Sequence, residues 1–261
     1  MLVDKWNATE YSKNSTAQEK WADELICKLS LVGNESGLDV GCGDGRITSK
    51  IGKILTDGSI VGIDLSASMI EMANERYSSK NTSFHEMCAT KIRLEKEFDF
   101  AFSNATLHWV RDHKSVLSTL RKHLKEGAKI LFQMGGRGNA SGIVEAFDSV
   151  MKRDEWCKYF TNFEFPYTFN DADYYSEILR DSGYLQKRVE LIPKVMSHDS
   201  INGLKGWLST TWFPYTERIN YERRDEFIDE VLNAYLVKCP TDISGRTFVN
   251  MVRLEIEATA L

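Results

Sequence analysis

At 261 residues, with 42% hydrophobic and 27% charged side chains, the chain can bury a sizeable core and is not disordered. A formal net charge of −5, with no basic stripe interleaved with aromatics, argues against a general nucleic-acid binder. Five cysteines without a C-x-x-C pair and five histidines without H-E-x-x-H spacing indicate neither a disulfide framework nor a metal site.

In chain order, residues 1–6 lack an apolar signal core, and no later run approaches membrane-spanning length, so a cytoplasmic protein with no membrane partner is expected. Trp21, Leu25, Ile26 and Leu29 recur at helical spacing across 16–31. Gly33-Asn34-Glu35-Ser36-Gly37 breaks that helix and starts a strand. A helix over 46–55, a strand over 60–64 and a helix over about 67–77, capped by Ser66 or Ser68, follow. Strands are predicted over 83–87 and 98–103, then a helix over 113–124 and a strand over 129–134. This alternation implies an α/β fold with a doubly wound, mostly parallel sheet.

After Gly138 the texture changes, and all four prolines fall in this later part. Residues 155–170 are rich in Trp, Tyr and Phe and read as a loop over the site. A helix over 171–182, stopped by Gly183, precedes a strand over 186–196, helices over 200–212 and 221–238, and a strand over 247–258. The expected organisation is one domain: a helical lid over 1–32, a cofactor-binding core over 33–138, and a helical cap inserted at 199–243 between the last two strands.

The most specific signal is Leu38-Asp39-Val40-Gly41-Cys42-Gly43-Asp44-Gly45-Arg46, followed by Ile60-Val61-Gly62-Ile63-Asp64. Strand, glycine loop, helix, strand and terminal carboxylate form the front half of a nucleoside-binding βαβ unit. The glycines let the chain turn sharply and bring bare backbone N–H groups against a ligand. Asp64 stands 19 residues after Gly45, the spacing that places a carboxylate on ribose hydroxyls. Asp39 and Asp44 surround the glycines and would repel a dinucleotide pyrophosphate. A ligand carrying an ammonium and a sulfonium would be attracted, so the loop reads as one for S-adenosylmethionine. Arg46 also stands where a dinucleotide fingerprint has its third glycine, which counts against a nicotinamide-dependent oxidoreductase.

With Phe98-Asp99-Phe100-Ala101-Phe102-Ser103-Asn104-Ala105-Thr106-Leu107-His108-Trp109-Val110, the loop and Asp64 resemble class I S-adenosylmethionine-dependent methyltransferases. Ser-Asn-Ala-x-Leu-His-Trp-Val with Asp112-His113 is more specific: it resembles the trans-aconitate methyltransferase group and, more loosely, the juvenile hormone acid methyltransferases. Trp6-Asn7-Ala8-x-x-Tyr11, Cys239-Pro240-Thr241-Asp242-Ile243-Ser244-Gly245-Arg246 and Arg253-Leu254 extend the likeness over nearly the whole chain.

The resemblance implies seven strands, the last antiparallel, with the cofactor across the carboxyl ends of the first, second and fourth. Asp39 and the backbone of Gly41, Cys42, Gly43 and the rest of the loop to Gly45 would hold its methionine part. Asp64 would take the ribose, Leu65 and Met69 the adenine, and Asn104 the ammonium, while Tyr11 and Gln18 would close over the ligand. Where the family carries an acid before Ala, this chain has Cys88-Ala89, so either the Ala89 N–H and nearby backbone would take over that contact or adenine would be held more weakly.

His108 and Trp109, just past the fourth strand, are the candidate catalytic pair. Trp212, Tyr215 and Arg218 are the candidate acceptor residues, in a stretch that with Trp156, Tyr159, Phe160 and Phe163 supplies an aromatic wall, and Arg137, Lys205 and Arg218 could clamp an acid. The expected activity is methylation of a small molecule, most simply at a carboxylate, which is nucleophilic at neutral pH without a base. Methylation of a hydroxyl, amine, thiol or carbon with His108 as base is the alternative, and a non-catalytic cofactor-binding protein is a further one. A monomer or homodimer is expected.

Overall fold

A computed structural model describes residues 16–261, with side chains from residue 21 onward. Tyr11, the Gln18 side chain and residues 1–15 of the expected 1–32 lid lie outside the described residues.

Helix α1 (Thr16–Leu29) leads into β1 (Ser36–Val40), α2 (Arg46–Ile54), β2 (Ser59–Asp64), α3 (Ala67–Tyr77), β3 (Thr82–Glu86) and β4 (Phe98–Asn104). A 3₁₀ turn (Leu107–Trp109), α4 (His113–Arg121), β5 (Leu124–Gly135), α5 (Ser141–Met151) and a second 3₁₀ turn (Cys157–Phe160) follow. Then come α6 (Ala172–Asp181), β6 (Tyr184–His198), α7 (Ile201–Thr211), the short α8 (Phe213–Thr216), a 3₁₀ turn (Tyr221–Arg223), α9 (Arg224–Lys238) and β7 (Thr247–Ala260).

The seven strands form one sheet in the order β3-β2-β1-β4-β5-β7-β6. β1 pairs in parallel with both β2 and β4, while β7 runs antiparallel to β5 and β6. Between β1 and β4 the winding reverses, and the loops leaving these two strands diverge to opposite faces, which opens a crevice at their carboxyl ends.

One sheet face is covered by α1 and α2, whose Leu25, Ile26, Leu29, Ile51 and the following Leu55 pack on Phe100, Phe102 and Leu131. The other carries α4 and α6, with Val116, Leu117, Tyr175 and Ile178 against Val40, Ala101, Ile130 and Phe132. A further, aromatic core joins α5, α7, α8 and α9 through Phe147, Trp156, Trp207, Tyr215 and Phe227. Side-chain caps fix four helix starts: Ser66 accepts from the Met69 N–H, Asp112 from Ser115, Asp171 from Tyr174 and Ser200 from Gly203.

Three elements differ from the reading by pattern. β5 begins at Leu124, where a helix end was expected, because Leu124 pairs with Phe98 before a register shift lets the strand continue through the turn-like Lys125-Glu126-Gly127. The helix expected over 221–238 is a 3₁₀ turn followed by α9. α5 has no predicted counterpart: Ile143, Ala146, Phe147 and Val150 carry helical spacing, but the residue before it is Ala140 at φ +51°, not a polar cap.

Candidate active site

A cavity of about 410 Å³ lies in the crevice at the carboxyl ends of β1, β2 and β4. Its floor is the glycine loop. The Gly41 and Cys42 N–H groups both donate to the Ile63 carbonyl, over 2.7 and 3.0 Å, which folds the end of β1 over the end of β2. Gly41, Gly43 and Gly45 all have positive φ, and a Cβ on Gly43 would meet nothing within 4 Å, so its backbone faces open space. Asp64 braces the loop from below: its Oδ2 accepts from the Gly43 N–H at 2.9 Å and its Oδ1 from the Ser66 N–H at 3.0 Å.

Of the acids lining the crevice, Asp39 is buried and Asp64 half-buried. Burial pushes Asp39 up to about 7, against the lowering effect of a 2.6 Å hydrogen bond from Thr48, and the neighbouring Asp64 charge adds to the rise. Asp64 is likewise raised by burial, although the Ser66, Gly43 and Leu65 N–H groups oppose the shift. A pyrophosphate would deepen this penalty, whereas a cationic ligand relieves it. Asp44 is engaged by Arg46 at 3.0 Å.

The residues present fit S-adenosylmethionine on a second count. Asn104, at the end of β4, lines the cavity and has a buried Oδ1 without a hydrogen-bond partner, an acceptor suited to an ammonium group. Of the cofactor residues expected from sequence, Asp39, Gly41, Cys42, Gly43, Asp64, Leu65, Met69, Ala89 and Asn104 all line this one cavity. Cys88 lines it as well, with Sγ 3.2 Å from Thr90 Oγ1.

The far wall was not legible in the motif. Phe102, Thr106, Val110, Pro166 and Phe213 reach the cavity from β4, the 3₁₀ turn, the aromatic loop and α8. The Thr168 N–H donates to the His108 carbonyl over 2.7 Å and holds that loop against the turn. Trp109 stacks on Phe213, centroids 5.4 Å apart at 16°, and lines both this cavity and an outer one of about 560 Å³ together with Pro166.

Other candidates fall elsewhere. His108 is buried and lies behind the wall, its ring 5.7 Å from Trp109 and 6.1 Å from both Tyr167 and Phe169. Burial, then the Arg253 guanidinium, then His113 hold it well below the ordinary histidine range. Trp212 and Tyr215 are corrected from pocket to core: both are buried against Phe147 and line neither cavity, because α8 turns them inward under α5. Arg218 lines the outer cavity, but its guanidinium donates to the Tyr159 and Thr161 carbonyls, at 2.9 and 3.0 Å. Arg137 and Lys205 pair with Asp171 and Asp229, each at 2.6 Å.

Comparison with known proteins agrees with this geometry. A family model described as a methyltransferase domain matches residues 38–132, which span β1 to β5. Over 99% of both chains, the protein is 27% identical to an uncharacterized methyltransferase of Schizosaccharomyces pombe. It is 27% identical to the juvenile hormone acid O-methyltransferase of Drosophila melanogaster, across 77% of this chain and 71% of that one. Its fold is similar to that of a mycolic acid cyclopropane synthase solved with S-adenosylhomocysteine, with a TM-score of 0.60 and 16% identity, covering 93% of this chain and 84% of the other. Among the described residues no helix is long and apolar enough to cross a membrane. The acidic glycine loop, the seven-stranded sheet and these relatives together identify the chain as a class I S-adenosylmethionine-dependent methyltransferase.

Proposed function

We propose that this methyltransferase acts on a small molecule and forms a methyl ester on a carboxylate. The observation that carries the reading is the chemistry of the far wall. Among the described residues, Ala105, Thr106, Trp109, Val110, Pro166 and Phe213 bring no carboxylate, imidazole or amine to the cavity. His108, the nearest imidazole, stands behind them and is held neutral by burial. A wall without a base suits an acceptor that arrives ionised, and a carboxylic acid with pKa near ~4 does so at neutral pH. The Drosophila relative, an acid O-methyltransferase, bears a name of the same kind of chemistry.

Within this reading, Asp39, the loop backbone and Asn104 hold the amino-acid end of the cofactor, Asp64 the ribose, and Leu65, Met69 and Ala89 the adenine. Bound there, the cofactor supplies a methyl group already activated by its sulfonium. The chain's own part is to align the acceptor oxygen and exclude water. The Trp109–Phe213 stack provides a dry wall. A tricarboxylate calls for several convergent cations, and Arg137, Lys205 and Arg218 each pair with other groups of the chain: Asp171, Asp229, and the Tyr159 and Thr161 carbonyls. The acceptor is therefore an acid with an apolar body, entering from the outer cavity past Trp109. Residues 199–243 act as a cap in this account, since Phe213 reaches the cavity from that segment, whereas the described part of the 1–32 segment packs through Leu25, Ile26 and Leu29 on the sheet.

Incubation with methyl-labelled cofactor and a panel of small acids, alcohols and amines tests the reading. Alkali should release the transferred label as methanol from an ester. Label that is transferred but survives alkali contradicts the assignment.

A further inference from the structure

Strand β5 outlasts β4. Their pairing ends at Asn104 and Gln133, where the Ala105 N–H donates to the Gln133 carbonyl over 2.8 Å. Ala105 then leaves the sheet with φ +56°. Gly135, two residues beyond Gln133, has its N–H where the ladder offers no next strand residue. That N–H points instead at Nδ1 of His108, 3.5 Å away, in the turn the chain makes as it departs. A backbone N–H can only donate, so Nδ1 must present its lone pair, and a neutral imidazole then carries its proton on Nε2.

The surroundings disfavour a second proton. His108 is buried, with the Arg253 guanidinium on β7, His113 on α4 and the Tyr167 ring of the aromatic loop as its titratable or charged neighbours. His113 is itself turned away, its Nδ1 2.5 Å from the Tyr175 hydroxyl. Arg253 opposes any positive charge on the imidazole.

We propose that Gly135 is a positioning residue: its N–H locks His108 as a permanent Nε2–H donor. Such an imidazole can only donate from Nε2 and has no lone pair there with which to take a proton. The lock is a property of the sheet end and holds whatever the acceptor is. It bears on the ester reading because it removes the one histidine base near the site.

The test is nuclear magnetic resonance of the full chain with ¹⁵N-labelled histidine, using long-range proton–nitrogen correlations from pH 6 to 9. His108→Gln assigns the resonance. If that variant does not fold, replacing His85, His113, His123 and His198 one at a time assigns it by elimination. The expected result is an unprotonated Nδ1 and a protonated Nε2, unchanged over the whole range. A protonated Nδ1, a mixture of tautomers or a titration inside that range overturns the proposal. An alcohol acceptor found in the panel experiment would overturn the ester reading and leave the tautomer result standing, so the two failures are distinguishable.

Discussion

Thr106 Oγ1 donates to the Gly41 carbonyl over 2.8 Å, and the Thr106 side chain fills the space that a Cβ on Gly41 would need. This contact joins the loop after β1 to the turn after β4, the two sides of the crevice. A Cβ at Gly41 would lie 1.9 Å from Thr106 Cγ2, on a backbone with φ +81°.

Gly41→Ala should therefore cost the left-handed strain of about 1–3 kcal/mol and, in addition, separate loop from turn. Gly43→Ala shares the positive φ without the clash, so its folding cost should be only about 1–2 kcal/mol. Its methyl group would enter the cavity, and cofactor affinity should fall more than stability does. Denaturant unfolding and calorimetric titration of the two variants check this contrast.

Asp64→Ala removes the carboxylate that accepts from Gly43 and Ser66 and that is expected to take the ribose hydroxyls. Affinity for S-adenosylhomocysteine should drop roughly tenfold or more, about 1.4 kcal/mol, through an unbraced loop and lost hydrogen bonds. Isothermal titration on protein with an unchanged circular dichroism spectrum measures it, and unaltered affinity would contradict the role.

The raised Asp39 gives a pH dependence of definite sign. An ordinary aspartate loses its proton near 3.8, and this one near about 7 in the folded chain. Between those values the folded state binds a proton that the unfolded state has lost, so stability from this group falls as pH rises through the window. Asp39→Asn should flatten that fall, seen by comparing denaturant midpoints at pH 5 and pH 8. A ligand with an ammonium group favours the ionised carboxylate, so cofactor binding below pH 7 should release protons, measurable in buffers of different ionisation heat.

Trp109→Ala deletes the stack on Phe213 and opens the wall between the two cavities. Methyl transfer should fall by roughly tenfold or more while cofactor affinity changes little, because the loss lies in acceptor alignment and water exclusion. Hydrogen exchange across 199–243 should slow when cofactor product and acceptor are both bound. Protection confined to residues 39–105 would make that segment structural only.

The residues that meet at the cavity floor were legible because their signals are local. Asp39, the glycines and Asp64 sit within two strand ends and one loop, where residue type and spacing dictate backbone geometry. The far wall was not. Phe213 and Pro166 reach the cavity through packing between segments remote in sequence, while the neighbouring Trp212 and Tyr215 turn into the core. An aromatic stretch read by composition does not say which rings face a pocket, since α8 is too short to show a periodicity. His108 was found by position but not by environment, because its Gly135 partner depends on where β4 stops relative to β5.

Single-turnover methyl transfer across pH tests most directly whether the chain positions an already ionised acceptor and takes no proton from it. With an acid from the panel saturating, the rate should stay flat from pH 6 to 9 and fall by only about tenfold in His108→Gln, a positioning loss of about 1.4 kcal/mol. A rate that rises with pH through a single ionisation, with the rise abolished in His108→Gln, would contradict the account and restore His108 as a general base.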